Sequence, residues 1–445
     1  MNDPVMHREL RERFLETLRQ EGAAALVAGG RAPMRNADCE YPFRPHSDFF
    51  YLTGFDEPDC VLLLLPTSEE HRSVLFLRER NPDDEVWTGR RLGVERAVET
   101  LGVDAAFDVD ELWSELPELL KGVRRLVHRL GEDEDRDREL LRVIKDLRDG
   151  ARRGTQVPTE LVDPSQNLHE QRLFKSEAEL DHMRRAAAIT AEAHLAAMRE
   201  AEPGRGEREI EALLSYTFRR NGGTGAAYES IVAGGENACI LHYTDNDATL
   251  AAGELLLIDA GAEWSYYASD VTRTFPVSGT FSDDQRALYE VVLRAQKAAI
   301  DATRPGVSFH HVHDVATREL VEGLVTLGLL EGEPEALIED GAHRRFTLHS
   351  TSHWLGLDVH DCGAYWVDGE SRPLEPGMVL TIEPGLYVPG DDEDVDARWR
   401  GIGIRIEDDV LVTPDGHEVL TKDAPKTADE VEAACAGTGV AAAGV

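Results

Sequence analysis

Ser176-Glu177-Ala178-Glu179 opens the part of the chain that decides the fold. A serine followed three residues later by glutamate is a capping box, and the pattern behind it predicts a helix to about Ala201, closed by Pro203-Gly204. A second helix follows to Asn221-Gly222, and apolar strand segments come after it. The same order recurs after Ser282, where a long helix ends at Pro305-Gly306 and the next reaches about Leu330. A helix pair followed by strands, twice over, predicts two related α+β halves facing one another, with a natural ligand cleft between them.

Ahead of this repeat the pattern alternates helix and strand. Residues 7–20 read as an amphipathic helix and residues 24–28 as a short strand; apolar runs follow at 60–65 and 74–77, and helical periodicity returns near 111–120 and 138–147. Residues 150–174 are polar and irregular, with Pro158 and Pro164, and read as a linker. The expected organisation is therefore an α/β domain over 1–172, an α+β domain over 173–426, and a frayed tail over 427–445, where alanine and glycine leave little to pack.

Composition narrows the function. The longest apolar stretch, around Val61 to Leu65, is far below the roughly 20 residues of a membrane span, and the charged N-terminal helix pattern does not indicate a signal peptide. Five widely spaced cysteines without a C-x-x-C pair read as free thiols in a reducing compartment, so a cytoplasmic location is expected. With 85 acidic against 47 basic residues, a formal net charge of −38, the chain repels phosphate backbones and anionic membranes. Neither nucleic acid nor lipid is expected as a partner. The acid excess reads as a solvated surface, or as adaptation to high salt, which composition does not separate from a genome that favours arginine.

Five residues carry the candidate chemistry. Asp259 ends the apolar run Leu255-Leu256-Leu257-Ile258, where an unpaired charge is costly. Asp270 lies eleven residues on in Ala268-Ser269-Asp270-Val271-Thr272-Arg273, and a hairpin joining the two strands would set both carboxylates side by side, stable only with a counter-ion between them. Glu383 ends Val379-Leu380-Thr381-Ile382. Glu407 follows Gly403-Ile404-Arg405-Ile406, where strand alternation puts Arg405 and Glu407 on one face and the isoleucines on the other. His353 in Ser352-His353-Trp354-Leu355-Gly356 adds an imidazole. Each has a structural reading by itself: a strand-end cap for Asp259, an ion pair for Asp270 with Arg273 or Glu407 with Arg405, a strand end before proline for Glu383, a hydrogen-bonded core histidine for His353. Together, four carboxylates and one histidine suit manganese, cobalt or a similar ion and make a poor thiolate-type zinc site.

These segments, with Ser352 to Asp361, Thr381 to Tyr387 and Gly403 to Asp408, resemble the signature blocks of aminopeptidase P, the Xaa-Pro aminopeptidases. The resemblance extends through Ile240-Leu241-His242-Tyr243-Thr244, Asp48 to Phe55 and Glu85 to Arg91, covering about residues 40 to 412. One departure is Ser350-Thr351, where a glycine is expected. The resemblance implies an α/β N-terminal domain serving oligomerisation and substrate access, and a C-terminal catalytic domain of the α+β pita-bread fold shared with prolidase, methionine aminopeptidase and creatinase. It implies two divalent metal ions per subunit, manganese first with zinc or cobalt as alternatives, on Asp259, Asp270, His353, Glu383 and Glu407, with Asp270 and Glu407 bridging. Glu383 would carry a proton, His242 and His360 would position substrate and stabilise charge, and Arg405 would orient a carboxylate. Because proline lacks an amide hydrogen, its site needs a shaped apolar wall, for which Tyr228, His349 and Tyr387 are candidates; Trp87 would reach the pocket of a neighbouring subunit, the alternative being a core tryptophan. The implied activity is removal of the N-terminal residue from peptides with proline second, by a homotetramer or homodimer. Prolidase, acting on dipeptides alone, is the nearest rival; a creatinase-like hydrolase and a metal-free binding module of the same fold are others.

Overall fold

The computed structural model describes residues 4–151 and 156–437. Two compact units divide between Arg172 and Leu173. The first is built on a six-stranded sheet in the order Ala105–Asp108, Ser73–Leu77, Val61–Leu64, Ala23–Ala28, Arg125–Val127, Glu160–Val162. Only Val61–Leu64 runs against the others. Its side chains and those of Ser73–Leu77 are buried along their whole length, which is why they read as unbroken apolar runs and not as an alternation. Helices Pro4–Glu21, Leu112–Leu119 and Glu134–Gly150 belong to the same unit, the last two packing Leu116, Leu140 and Ile144 into the sheet's core.

The expected linker is partly structured: residues 160–162 form the sheet's edge strand, and Leu168–Leu173 is a helix. A three-residue strand is too short to show a period, so polar composition concealed it. Residues 152–155 lie outside the described set.

The second unit shows the repeat. Helices Glu177–Glu200 and Glu207–Arg220 lead into the antiparallel sheet Ile231–Gly234, Leu255–Asp259, Thr272–Pro276; helices Asp283–Ala302 and Phe309–Thr326 lead into Val379–Ile382, Asp408–Thr413, Gly416–Val419, beside the pair Gly385–Val388 and Ile402–Arg405. Both long helices start in capping boxes, Ser176 with Glu179 and Ser282 with Gln285. Among the described residues no helix is long and apolar enough to cross a membrane, and all five cysteines are free.

The expected frayed tail is corrected over its first part. Thr427 caps a helix over Ala428–Cys435, and Val431 and Ala434 pack into a core cluster with Leu195, Met198 and Phe275. Small alanine-rich faces pack flush, so low bulk did not mean low burial. Residues 438–445 lie outside the described set.

Candidate metal centre

Asp259, Asp270, His353, Glu383 and Glu407 all line one cavity of about 550 Å³ in the second unit. The strands bring them there. Thr272 stands opposite Asp259 in the ladder, so Asp270, two residues before it, falls beside Asp259. Residue 261 must be glycine for this approach, since a Cβ there would fall 1.6 Å from the Ser269 carbonyl oxygen. In the other half, Glu383 N–H donates to Thr351 O at 2.8 Å and Thr381 N–H to His353 O at 2.9 Å, zipping the segment that carries His353 to the strand that carries Glu383. The halves are tied at Glu407, whose N–H donates to Thr272 O at 3.0 Å and whose Oε2 accepts the Thr272 hydroxyl at 2.6 Å.

One ligand atom each from Asp270, His353 and Glu407 lies within 4.8 Å of the others. His353 Nε2 stands 3.4 Å from Asp270 Oδ2 and 3.6 Å from Glu383 Oε1. Its Nδ1 is 3.0 Å from the Trp354 carbonyl, which can only accept, so Nδ1 carries the hydrogen and Nε2 faces the carboxylates. The Tyr228 hydroxyl reaches both Asp259 Oδ1, at 2.6 Å, and Asp270 Oδ1. Arg405 Nη2 donates to Asp259 Oδ2 at 2.7 Å.

Packing these acids together strains their ionisation. Burial, then the charges of Asp270, Glu383 and Asp259, push the Glu407 carboxyl far up. Burial also raises Asp259 against the pull of Arg405, and raises Glu383 to about 7 against the pull of His353 and Arg405. Asp270 goes the other way: burial opposes its charge, but its hydrogen bond to His353 outweighs burial. The same partners, Asp270 and Glu383, lift His353 to about 9 against its burial. In the protein alone the His353 imidazolium and the Arg405 guanidinium are the positive charges that face the four acids.

His242 and His360 line the same cavity and are exposed. The His360 ring sits 4.2 Å from that of His353, edge to face, and burial followed by the His353 charge lowers its pKa. His349 also lines the cavity, with Nδ1 3.6 Å from Glu383 Oε2 and Nε2 2.7 Å from the Tyr387 hydroxyl; burial and Arg405 take it down to about 4. Tyr387 differs from expectation. It is fully buried, is not part of the cavity lining, and accepts from Arg405 Nη1 at 2.9 Å, so it stands behind the site as a support. Tyr228 does line the cavity, yet its hydroxyl is committed to the two aspartates. Trp87 lies in the first unit, 87% exposed, which removes the core-tryptophan reading.

Comparison with known proteins agrees with this geometry. Residues 181–414 match the model of metallopeptidase family M24, and residues 7–128 match that of the aminopeptidase P N-terminal domain. A Xaa-Pro aminopeptidase of Escherichia coli K12 is 46% identical over 93% of this chain and 94% of its own length. The chain belongs to the aminopeptidase P family. Its fold superposes with a TM-score of 0.95 on the Pseudomonas aeruginosa aminopeptidase PepP, at 46% identity over 98% of both chains. It superposes at 0.94 on a zinc-substituted E. coli aminopeptidase P in complex with product, at 45% identity over 98% of both. The fold is thus the family's: an N-terminal aminopeptidase P domain followed by an M24 pita-bread domain.

The residues present fit the divalent metal site of an M24 enzyme. Their donors are oxygen-rich with a single imidazole, they are largely buried, and their mutual repulsion is what a cation relieves.

Sequence reasoning named Arg405 as a support of this aminopeptidase P site but missed the others. Glu407, Asp408 and Asp409 are three consecutive acids, each no more than 1% exposed. Asp409 accepts from the Ser269 hydroxyl at 2.8 Å and from Asp270 N–H at 3.2 Å, fixing the backbone that carries Asp270. Asp408 accepts from Arg273 Nη2 at 2.7 Å; burial opposes its charge, but Arg273 and Lys426 outweigh burial and hold its carboxyl below the usual range. Arg273 spends its remaining donors on the carbonyls of Thr272, Glu407, Ala424 and Pro425. A run of three acids leading into the apolar Val410-Leu411-Val412 was the available signal.

Proposed function

We propose that the chain is a metal-dependent aminopeptidase that releases the N-terminal residue from peptides with proline at the second position. The observation that carries this reading is the convergence of Asp270, His353 and Glu407 to within 4.8 Å, with Asp259 and Glu383 lining the same cavity. The relatives named Xaa-Pro aminopeptidase supply the substrate class. Asp259, Asp270, His353, Glu383 and Glu407 would hold two divalent cations per subunit, manganese before zinc or cobalt. When bound, such cations supply a hydroxide nucleophile at neutral pH and polarise the scissile carbonyl.

The chain's own residues do the rest. Glu383, at the end of its strand, holds and passes a proton at its carboxylate oxygens towards the proline nitrogen. His242 and His360, exposed in the cavity, orient the peptide and stabilise charge on its carbonyl oxygen. Arg405 keeps the Asp259 carboxylate in one orientation, and Tyr387 keeps Arg405. His349 and the Tyr228 ring wall the side where proline sits. Trp87, exposed on the first unit, reaches the pocket of a neighbouring subunit in a homodimer or homotetramer. The enzyme works in the cytoplasm, on peptides and not on nucleic acid or membranes.

The test is a metal titration of activity on a tripeptide with proline second, run beside the matching Xaa-Pro dipeptide. Turnover of the tripeptide should depend on added manganese and should fall below detection in Asp270→Ala and Glu407→Ala, both still folded by circular dichroism. Normal rates in either variant would remove the metal-centre reading; cleavage of the dipeptide alone would make the enzyme a prolidase.

A further inference from the structure

A second concave surface lies wholly within the first unit, at the edge where the parallel strands end. Ala23–Ala28, Ser73–Leu77 and Ala105–Asp108 run in one direction. Residues at or just past their carboxyl ends, Arg31, Arg78 and Asp108, line a cavity of about 520 Å³ together with Arg91, Trp113 and Arg136. Open α/β sheets take their ligands at that edge, and the volume is that of a small-molecule site.

Arg136 is the telling residue. It is 7% exposed, and among the described residues its guanidinium has no hydrogen-bond partner. Asp133 beside it is already engaged: Oδ2 pairs with Arg31 at 3.1 Å, and Oδ1 accepts the backbone N–H of Arg136 at 3.0 Å. Neither oxygen is therefore bonded to the Arg136 guanidinium. The Nε atoms of Arg78 and Arg91, in the same lining, are also buried without an acceptor. Donors left unmade in buried side chains are costly, and an unbonded Arg136 guanidinium beside two buried Nε atoms without acceptors points to an acceptor that arrives from outside.

The lining is not simply positive. Asp59, Glu79, Asp84, Asp108 and Asp110 share it, with Asp84 paired to Arg91 at 3.1 Å and Asp108 accepting the N–H of Asp110 at 2.9 Å. Leu112 and Trp113 add an apolar wall. A bare oxyanion would meet these carboxylates as repulsion, whereas a ligand carrying both charges uses them. We propose that this cavity binds a small zwitterion, a free amino acid or dipeptide with an apolar side chain. Its carboxylate takes the orphaned arginine donors, its ammonium sits among the lining carboxylates, and its side chain lies on Trp113.

Isothermal titration of the full chain with L-leucine tests this, beside isocaproate, which lacks the ammonium, and isopentylamine, which lacks the carboxylate. Leucine should bind at one saturable site and each analogue about tenfold more weakly or worse. Arg78→Ala, at a side chain 24% exposed and so tolerant of removal, should weaken leucine by about tenfold, and Arg136→Lys should do the same while keeping charge and bulk. Asp270→Ala should leave the affinity unchanged, which separates this cavity from the metal centre. Isocaproate binding as tightly as leucine would show an anion site instead. Absence of saturable binding up to about 10 mM, or binding that survives both arginine variants, would overturn the proposal.

Discussion

At the scale of single residues, the five candidate ligands were legible through their joint occurrence and the family resemblance, because each has a structural reading by itself. Their supports were legible only in part: the resemblance implied that Arg405 orients a carboxylate, but its partner Asp259 lies 146 positions away, and Tyr228 meets Asp270 across 42. Tyr228 read as an apolar wall, and only the fold shows its hydroxyl spanning two aspartates. Removing that hydroxyl leaves Asp259 and Asp270 less well oriented, so Tyr228→Phe should weaken manganese affinity by about 10- to 100-fold, read by competition with a chelating dye. An unchanged affinity would show that the hydroxyl only fills space. A second residue sits in the other unit. Asp48 is buried, with Arg172 Nη1 at 2.7 Å and His169 Nε2 at 3.0 Å. Burial opposes its charge, yet Arg172 and then His169 outweigh burial and hold its carboxyl below the usual carboxylate range. A depressed native pKa stabilises above the unfolded value, about 3.9, and that stability drains away as pH falls below it. Asp48→Asn should therefore cost about 3–5 kcal/mol at pH 7, by breaking a buried pair. Urea unfolding should show the gap to wild type shrinking between about pH 4 and pH 2.5; a gap that does not change with pH would rule out the ionic account.

At the scale of elements, the sequence showed what has a period and hid what does not. The long helices declared themselves through their caps and proline-glycine stops, and the central strands through apolar runs. The edge strand 160–162 and the helix Ala428–Cys435 did not, one being three residues long and the other built of small residues. That helix is held by reciprocal bonds between Thr427 and Glu430 and by Val431, which is fully buried. It lies next to the metal centre's support: Arg273 bonds to Ala424 and Pro425, just ahead of it. Thr427→Ala should destabilise the second unit by about 1 kcal/mol, the usual worth of a threonine cap. Guanidinium unfolding followed by far-UV dichroism measures it, and a change of less than a few tenths would mean that the helix frays in solution.

At the scale of the whole molecule, a net charge of −38 is the feature that no single contact explains. Two electrostatic effects compete. Many exposed carboxylates sit in contact pairs, such as Glu16 with Arg19 at 2.7 Å and Glu12 with Arg72 at 3.1 Å, each of which solvent screens to a small gain. Against them stands the mutual repulsion of the unpaired acids, acting over distances well beyond contact. Salt separates the two, because the screening length falls from about 10 Å at 0.1 M to about 3 Å at 1 M. Screening removes long-range repulsion first and leaves contact pairs at about 3 Å largely in place. Raising potassium chloride from about 0.1 to 1 M at pH 7 should therefore stabilise the protein by about 1–2 kcal/mol, seen as a rise of a few degrees in Tm. The rise should vanish near pH 4.7, the sequence isoelectric point, where the net repulsion is gone. A Tm that falls with salt at pH 7 would mean that the surface pairs dominate, and that the acid excess is tolerated at low salt instead of being suited to high salt.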